Sequence, residues 1–302
     1  MLKNERRKNM KIAIASGKGG TGKTTIATNL ALSASGRGEK IVLADCDVEE
    51  PNCHLFLDPV ITSSEPVAVQ KPEVIESLCT GCGLCGEVCE YNAIAVIKKK
   101  VLIFPELCHS CGACSILCPE NAVTETPRNI GILEKGTANG ISFIQGLLNI
   151  GELMSPAVIS AVRKAAGSEG HIIVDAPPGT SCPVIEAVKE NDFVILVSEP
   201  TPFGLHDLTL AVGMVRQLEL PFAVALNRCD IGTDELKNYC ISEGIDIIFE
   251  LPDDRRIAEA YSRGEMIIKT LPEYRNLFES CWNEVIDRVV EKDGIGRRVT
   301  EG

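Results

Sequence analysis

The sequence predicts an α/β fold, in which a mostly parallel sheet has helices on both faces, with a small α+β domain inserted into it. Short apolar runs alternate with helical patterns, as the strands of a parallel sheet alternate with their connecting helices. The predicted strands lie at about residues 11–16, 41–45, 171–175, 193–198, 222–227 and 246–250. Aromatic residues make up only 4% of the chain, and its Ile, Val, Leu and Ala content suits buried parallel strands. A cysteine-rich segment interrupts the pattern and predicts the insertion.

The predicted insertion spans residues 72–125 and divides the main domain into residues 1–71 and 126–302. Eight of the 14 cysteines lie between Cys79 and Cys118, in two copies of the spacing Cys-x2-Cys-x2-Cys-x3-Cys. An Asn-Ala pair follows each copy, so the insertion is predicted to be a pseudo-repeat of two halves. Residues 126–150 are predicted to be extended strands that return the chain to the sheet.

The cysteine spacing resembles the ligand run of a bacterial ferredoxin with two [4Fe–4S] clusters, in which the fourth cysteine of each run ligates the other cluster. This resemblance implies a bacterial-ferredoxin-like domain whose first cluster is held by Cys79, Cys82, Cys85 and Cys118, and whose second is held by Cys108, Cys111, Cys114 and Cys89. The alternative is a zinc ribbon, which usually pairs two Cys-x2-Cys elements and fits the spacing less well. Glu90 departs from the usual proline after the fourth cysteine, which leaves the number of ligands unchanged.

The first predicted strand leads directly into a phosphate-binding loop. Gly17-x4-Gly22-Lys23-Thr24 is a complete P-loop between a strand and a helix. Its backbone N–H groups surround phosphate, Lys23 reaches the β and γ phosphates, and Thr24 supplies a hydroxyl to Mg²⁺. The predicted nucleotide-binding residues of this loop are Gly17, Lys18, Gly19, Gly20, Thr21, Gly22, Lys23, Thr24 and Thr25.

Lys18, directly after the first glycine, makes this a deviant Walker A motif, and here the sequence resembles the MinD/ParA family of P-loop ATPases. In that family the extra lysine contacts the nucleotide of a partner subunit. The resemblance covers nearly the whole chain and extends to MinD-superfamily ATPases with an inserted ferredoxin domain. It implies a P-loop NTPase sheet, ATP and Mg²⁺ as ligands, and a dimer formed on ATP binding, either a homodimer or a heterodimer with a paralogue.

The resemblance also assigns residues at the ends of other strands. Asp45 is expected near Mg²⁺ and Asp47 is expected to polarise the attacking water, both in switch I. Asp175 is the expected Walker B aspartate, which begins switch II. The candidate catalytic residues are Lys18, Lys23, Asp47 and Asp175, and the candidate Mg²⁺ ligands are Thr24, Asp45 and Asp175.

Three further residues are expected near the nucleotide base. Asn227 resembles the asparagine that contacts adenine in this family, although an asparagine at a strand end is often only a turn residue. Pro252 and Asp253 resemble the late loop beside the base. Elsewhere, Cys182, seven residues after Asp175, is a hypothetical ligand of a metal or redox centre. Cys46 and Cys53 flank switch I, where the sequence leaves buried thiol and redox sensor as alternatives.

Charge and hydropathy bear on partners and location. The formal net charge of −12 opposes nonspecific binding to nucleic acid. No apolar run is long enough to span a bilayer, and the basic first ten residues are not followed by the apolar segment of a signal peptide. The apolar stripe from Tyr274 to Val289 is predicted to pack on the sheet rather than on a membrane. Many thiols without a secretion signal predict a cytoplasmic location.

Three functions remain open for an ATPase with built-in clusters. The first is ATP-gated electron transfer to a redox partner protein, which we favour because eight cluster cysteines imply stably held clusters. The second is an ATP-dependent carrier that assembles metal or Fe–S cofactors on target proteins. The third is a redox-sensing MinD/ParA-like positioning ATPase, which usually needs the membrane helix or basic surface that this sequence lacks.

Overall fold

Nine strands form one sheet at the centre of the computed structural model, which describes residues 9–300, with side chains described for residues 9–290. The strands of the protein are β1 (Lys11–Ala15), β2 (Ile41–Asp45), β3 (Val60–Val74), β4 (Ile94–Ile97), β5 (Lys100–Ile103), β6 (Val123–Ala138), β7 (Ile141–Leu148), β8 (His171–Asp175), β9 (Phe193–Ser198), β10 (Phe222–Asn227) and β11 (Ile247–Leu251). The sheet order is β11-β10-β9-β1-β8-β2-β7-β6-β3, and β4 pairs with β5 in a separate hairpin.

Helices connect the strands and cover both faces of the sheet. They are α1 (Lys23–Gly36), α2 (Cys53–Leu57), α3 (Leu84–Glu87), α4 (Ala113–Ile116), α5 (Ser155–Ala166), α6 (Cys182–Val188), α7 (Pro202–Gln217), α8 (Glu235–Ser242), α9 (Arg255–Ser262), α10 (Ile267–Thr270) and α11 (Arg275–Thr300), with short 3₁₀ helices at Pro105–Leu107 and Pro272–Tyr274. Strands β11 to β7 are all parallel, whereas β6 and β3 are antiparallel additions at one edge. The predicted α/β class, its mostly parallel sheet and its six apolar strands are confirmed.

Alternate residues of the central strands face two separate apolar cores. Ile12 and Ile14 of β1 lie in the core that α1 and α11 cover, together with Trp282. Ala13 and Ala15 lie in the other core, beneath α5, α6 and α7. Because both faces are covered, these strands are apolar on both sides, which is why they appear in the sequence as continuous apolar runs.

The last helix, α11, packs its apolar stripe into the first of these cores, as predicted. Phe278, Trp282 and Val285 are fully buried against α1 and the sheet. Of the helices in the described part of the chain, none is both long and apolar enough to cross a bilayer. The basic first residues (1–8) and the side chains of Arg297 and Arg298 lie outside what the structure describes.

The cysteine-rich segment is carried on two long antiparallel strands. β3 and β6 pair from Val60 opposite Thr137 to Val74 opposite Val123. β6 pairs with β7 only from Gly131 onward, so residues 68–74 and 123–129 form a two-stranded ribbon that extends beyond the main sheet. The predicted domain boundaries, 71/72 and 125/126, fall within these strands. The two parts of the chain are therefore joined by continuous β-structure rather than by a loop.

Packing of α11 can be tested with two matched substitutions. Val285→Ala should destabilise the protein by about 2 kcal/mol, because Val285 is fully buried and its lost methyl groups leave a cavity. Val290→Ala, on the same helix but with the side chain 54% exposed, should change stability by less than about 0.5 kcal/mol. Thermal unfolding of the two variants measures the difference; equal melting temperatures would contradict the buried position of the stripe.

Candidate functional site

The phosphate-binding loop lies between β1 and α1, at the carboxyl edge of the parallel strands. Gly20 and Gly22 have φ angles of 76° and 94°, in the left-handed region that favours glycine. No side chain caps the start of α1, so its first backbone N–H groups are available to an anion. The buried hydroxyl of Thr21 has no hydrogen-bond partner. These features fit a bound phosphate group.

Close backbone approaches fix this loop in place. A Cβ atom on Gly17 would lie 2.1 Å from the carbonyl oxygen of Asp207 in α7. A Cβ atom on Gly22 would lie 2.5 Å from Nδ2 of Asn227, and that amide donates a hydrogen bond to the carbonyl of Thr21 at 3.0 Å. The structure thus brings Asn227 to the loop as a support of its backbone, and its contact with adenine stays a prediction.

Carboxylates from two neighbouring strands meet beside the loop. Asp45 ends β2 and Asp175 ends β8, and the two residues are directly paired in the sheet. The Thr24 hydroxyl donates to Oδ2 of Asp175 at 2.6 Å, while Oδ1 of Asp175 is buried without a hydrogen-bond partner. The three predicted Mg²⁺ ligands are therefore brought together. Their oxygen-only donor set and the unpartnered Oδ1 fit a hard divalent cation.

Asp45 has a further role that the sequence does not predict. Its Oδ1 accepts a hydrogen bond from the backbone N–H of Asp47 at 3.1 Å. Its Oδ2 accepts from the N–H groups of Asn52 at 3.1 Å and Cys53 at 2.9 Å. This one side chain therefore holds the predicted switch I segment at two places, at Asp47 and at the start of α2.

The electrostatics of the site favour a cation. Burial, and then the proximity of Asp175, raises the pKa of Asp45 to about 8. The same two causes raise the pKa of Asp47 to about 6, and burial raises the pKa of Asp175. Burial lowers the pKa of Lys23, although Asp175 and Asp47 oppose that effect. Closely spaced carboxylates in a buried site thus repel one another, and a divalent cation would relieve the repulsion.

The cysteines of the ribbon-borne segment line two cavities. One cavity is lined by Cys89 together with three cysteines of the second run, Cys108, Cys111 and Cys114. The other is lined by Cys118 together with three cysteines of the first run, Cys79, Cys82 and Cys85. We call these the Cys89 cavity and the Cys118 cavity. Each brings together one of the four-thiol sets expected from the spacing, with the fourth cysteine exchanged between the two halves.

The repeated Asn-Ala pairs explain how the fourth cysteines are held. Asn92 and Asn121 have φ angles of 52° and 50°, and this left-handed turn directs the next backbone N–H back toward the preceding cysteine. The N–H of Ala93 donates to Sγ of Cys89 at 3.3 Å, and the N–H of Ala122 donates to Sγ of Cys118 at 3.3 Å. Such bonds stabilise thiolates, the form that binds iron. The thiol sets therefore fit a metal cluster.

Comparison with known proteins identifies the nucleotide-binding part. A model of the CobQ/CobB/MinD/ParA nucleotide binding domain matches residues 12–267. The chain belongs to this family. Membership in the CobQ/CobB/MinD/ParA family agrees with the parallel sheet and with the loop and carboxylates at its edge, and it supports nucleotide binding and ATP hydrolysis.

Individual relatives are more distant. An uncharacterized protein of Methanocaldococcus jannaschii is 34% identical over 312 aligned positions, covering 92% of this chain and 98% of its own length. An iron-sulfur cluster carrier protein of Pyrococcus horikoshii is 23% identical over 286 positions, covering 87% and 81%. The solved structure of the septum site-determining protein MinD of P. horikoshii, complexed with Mg-ADP, matches with a TM-score of 0.58 and 19% identity, covering 92% of this chain and 96% of that one. This last likeness shows the fold.

The predicted roles of the other residues of this CobQ/CobB/MinD/ParA-family site stay predictions. Lys18 is half-buried in the loop, and its contact with a partner subunit stays a prediction. The loop of Pro252 and Asp253 lies beside Arg228, whose Nε is 3.5 Å from the Asp253 carboxylate. Cys182 is exposed at the start of α6, and its link to a metal centre stays a prediction.

The sequence reasoning missed two features that lie close to these sites. One is the contact of Cys53 with Asp175, described below. The other is a stacked pair of rings, Tyr91 and His109, with centroids 3.6 Å apart at the Cys89 cavity. A difference between the two cysteine runs could have indicated this pair. Tyr91 corresponds to Glu120, and His109 corresponds to Thr80, so the Cys118 cavity has no equivalent pair of rings.

The close approach at Gly17 can be tested against another glycine of the same loop. Gly17→Ala should destabilise the nucleotide-free protein by more than about 3 kcal/mol, because its Cβ would overlap the backbone of α7. Gly20→Ala meets no atom within 4 Å, so it should cost only the strain of a positive φ angle, about 1–2 kcal/mol. Melting temperatures of the two variants show which substitution destabilises the protein more. A smaller decrease in melting temperature for Gly17→Ala than for Gly20→Ala would contradict the packing of the loop on α7.

Proposed function

We propose that this chain is an ATP-hydrolysing, nucleotide-switched dimer whose state is coupled to two [4Fe–4S] clusters, and that it passes electrons to a partner protein. One observation carries the coupling. Asp45 holds the N–H groups at the start of α2, and only Asp58 and Pro59 separate the end of α2 from β3, the strand that leads to the cysteines. A change at the nucleotide site therefore has a continuous covalent route, along the whole of β3, to the cysteine cavities.

A second route runs through the sheet. The carbonyl of Val48, in switch I, accepts a hydrogen bond from the N–H of Leu148 at the end of β7 at 2.9 Å. The next residue, Asn149, donates its N–H to the carbonyl of Ile130 in β6, also at 2.9 Å. Switch I is thus connected to both strands of the ribbon, by chain continuity to β3 and by hydrogen bonds to β6.

The residues beside the loop have separate tasks in ATP hydrolysis. Lys23 and the loop N–H groups would bind the phosphates, and Thr24 and Asp175 would hold Mg²⁺, which would neutralise charge on the phosphates. Asp47 would orient the attacking water, and its pKa of about 6 leaves it ionised at neutral pH, as that task requires. Lys18 would reach the nucleotide of the other subunit, which makes turnover depend on dimerisation.

The thiol sets support electron transfer. Clusters held in the two cavities would supply one-electron chemistry at low potential. Each cavity has one exposed cysteine, Cys82 or Cys111, so each has an edge near the surface for electron exchange. Large apolar side chains are also exposed in this module: Ile116 and Leu117, which lie between Cys114 and Cys118 in the chain, are 80% and 50% exposed. Exposed apolar residues of this kind suit the docking of a protein partner.

A second candidate function is a carrier that assembles Fe–S or other metal cofactors on target proteins. It is supported by the relatives named iron-sulfur cluster carrier proteins, at 23% identity over most of the chain. The two functions differ in what leaves the protein. A carrier loses iron to an apo-protein acceptor, whereas an electron carrier retains its iron through repeated turnover.

Coupling predicts that ATP alters the clusters. In an anaerobic EPR redox titration, Mg-ATP should shift the midpoint potential of at least one cluster by about 60 mV, equivalent to about a tenfold change in ATP affinity on one-electron reduction. Lys23→Ala is the control: it should lose both ATP turnover and the shift while both cluster signals remain. Equal midpoints with and without Mg-ATP would contradict coupling in the isolated protein and strengthen the carrier alternative.

The exchanged fourth cysteines predict which substitutions share a phenotype. Cys118→Ser and Cys79→Ser should alter the same EPR signal, and Cys89→Ser and Cys108→Ser should alter the other, each lowering iron from about eight to about four atoms per chain. Cys182→Ser, at an exposed position outside both cavities, is the matched control and should change neither signal. If Cys118→Ser affected the same signal as Cys108→Ser, the exchange would be wrong.

A further inference from the structure

A buried thiol lies beside the carboxylates of the nucleotide site. Cys53 is the first residue of α2, and it is 0% exposed. Its thiol donates a hydrogen bond to Oδ2 of Asp175 at 3.3 Å, and its backbone N–H donates to Oδ2 of Asp45 at 2.9 Å. Two acidic side chains from neighbouring strands therefore converge on one cysteine.

The geometry of this group suits a single metal ion. Asp45, Cys53 and Asp175 each offer a ligand atom, and the three atoms lie within 4.8 Å of one another. Ions of the zinc type bind sulfur at about 2.3 Å and carboxylate oxygen at about 2.0–2.2 Å, so small side-chain shifts would place all three atoms on one ion. Asp175 is 1% exposed and its Oδ1 has no hydrogen-bond partner. The group thus includes a buried oxygen that is free to bind.

The thiol changes which ion the group prefers. Mg²⁺ takes oxygen ligands in an octahedral arrangement and binds sulfur poorly. Sulfur ligands instead favour ions such as Zn²⁺ and Fe²⁺. The other three buried thiols of the described residues, Cys46, Cys240 and Cys281, belong to the apolar cores, as Cys53 also does. Cys53 differs from them because its thiol contacts a carboxylate.

We propose that Asp45, Cys53 and Asp175 form a site for a thiophilic divalent cation, of the class of Zn²⁺ and Fe²⁺, that fills when Mg²⁺ and nucleotide are absent. Binding forms one metal–sulfur bond and metal–oxygen bonds to the two carboxylates. It releases to solvent the thiol proton and any proton that the carboxyl groups carry, with no electron transferred. Because Asp175 would ligate either ion, the thiophilic cation and Mg-ATP exclude each other. This exclusion rests on the proposed function, whereas binding of the cation does not.

Zinc X-ray absorption spectroscopy tests the site directly. The sample is the cluster-loaded, nucleotide-free protein with Zn²⁺ added to one equivalent, with iron per chain measured before and after. We expect one sulfur neighbour at about 2.3 Å from zinc, together with lighter ligands. Cys53→Ser should remove the sulfur neighbour and weaken zinc binding at least about tenfold. Cys53→Ala serves the same purpose if the serine variant proves unstable.

Two matched controls separate this site from other thiols. Cys229→Ser, at a half-buried cysteine, and Cys240→Ser, at a buried one, should retain the zinc–sulfur signal. A wild-type spectrum without sulfur, or a sulfur signal that persists in both Cys53 variants, would overturn the site.

Mg-ATP then tests the exclusion. Release of zinc on addition of Mg-ATP supports it, and zinc that stays bound to sulfur while ATP binds would overturn it. If the protein failed to bind ATP at all, the proposed function would fail, and the zinc spectrum of the nucleotide-free protein would still decide the site.

Discussion

The nucleotide site and the start of α2 both depend on how the Asp45 carboxylate is satisfied. This group is fully buried, where a carboxylate without partners would be very costly. It accepts three backbone hydrogen bonds, from Asp47, Asn52 and Cys53, so the segment between β2 and α2 folds around a single side chain. Burial and Asp175 nevertheless raise its pKa to about 8, which shows that these bonds offset burial only in part. A change of charge beside Asp45 would therefore alter its hydrogen bonds to Asp47 and to the start of α2 at the same time.

The ribbon can transmit such a change because its base is fixed. A two-stranded ribbon is only marginally stable by itself. Where β6 leaves β7, however, Arg128 forms an ion pair with Glu152 in the loop before α5, and the two side chains are 17% and 5% exposed. Glu152 also accepts the N–H groups of Leu153 and Met154. Losing either charge would leave its part-buried partner without the ion pair and should destabilise the base of the ribbon. In the proposed coupling, displacement at this base would be passed along the strands.

Features set by local sequence could be predicted, and features set by topology could not. The P-loop follows from a local spacing, both sets of four thiols follow from the resemblance of the cysteine spacing to bacterial ferredoxins, and the structure brings the members of each together. The pairing of β3 with β6 was not predicted, because Val60–Val74 mixes apolar and polar residues with two prolines, and its partner strand lies across the whole cysteine segment. The contact of Cys53 with Asp175 joins residues 122 positions apart, and only the adjacency of β2 and β8 creates it.

The same distinction between local and long-range structure bears on the two candidate functions. A carrier must release four thiolate ligands together, and here the fourth ligand of each cavity comes from the other half of the module. Removing one cluster therefore disturbs both halves, including the turns in which Ala93 and Ala122 donate N–H groups to the exchanged sulfurs. Electron exchange needs none of these bonds to break, only an edge near the surface, which Cys82 and Cys111 provide. The interlocked thiol sets thus favour retention of the clusters and passage of electrons.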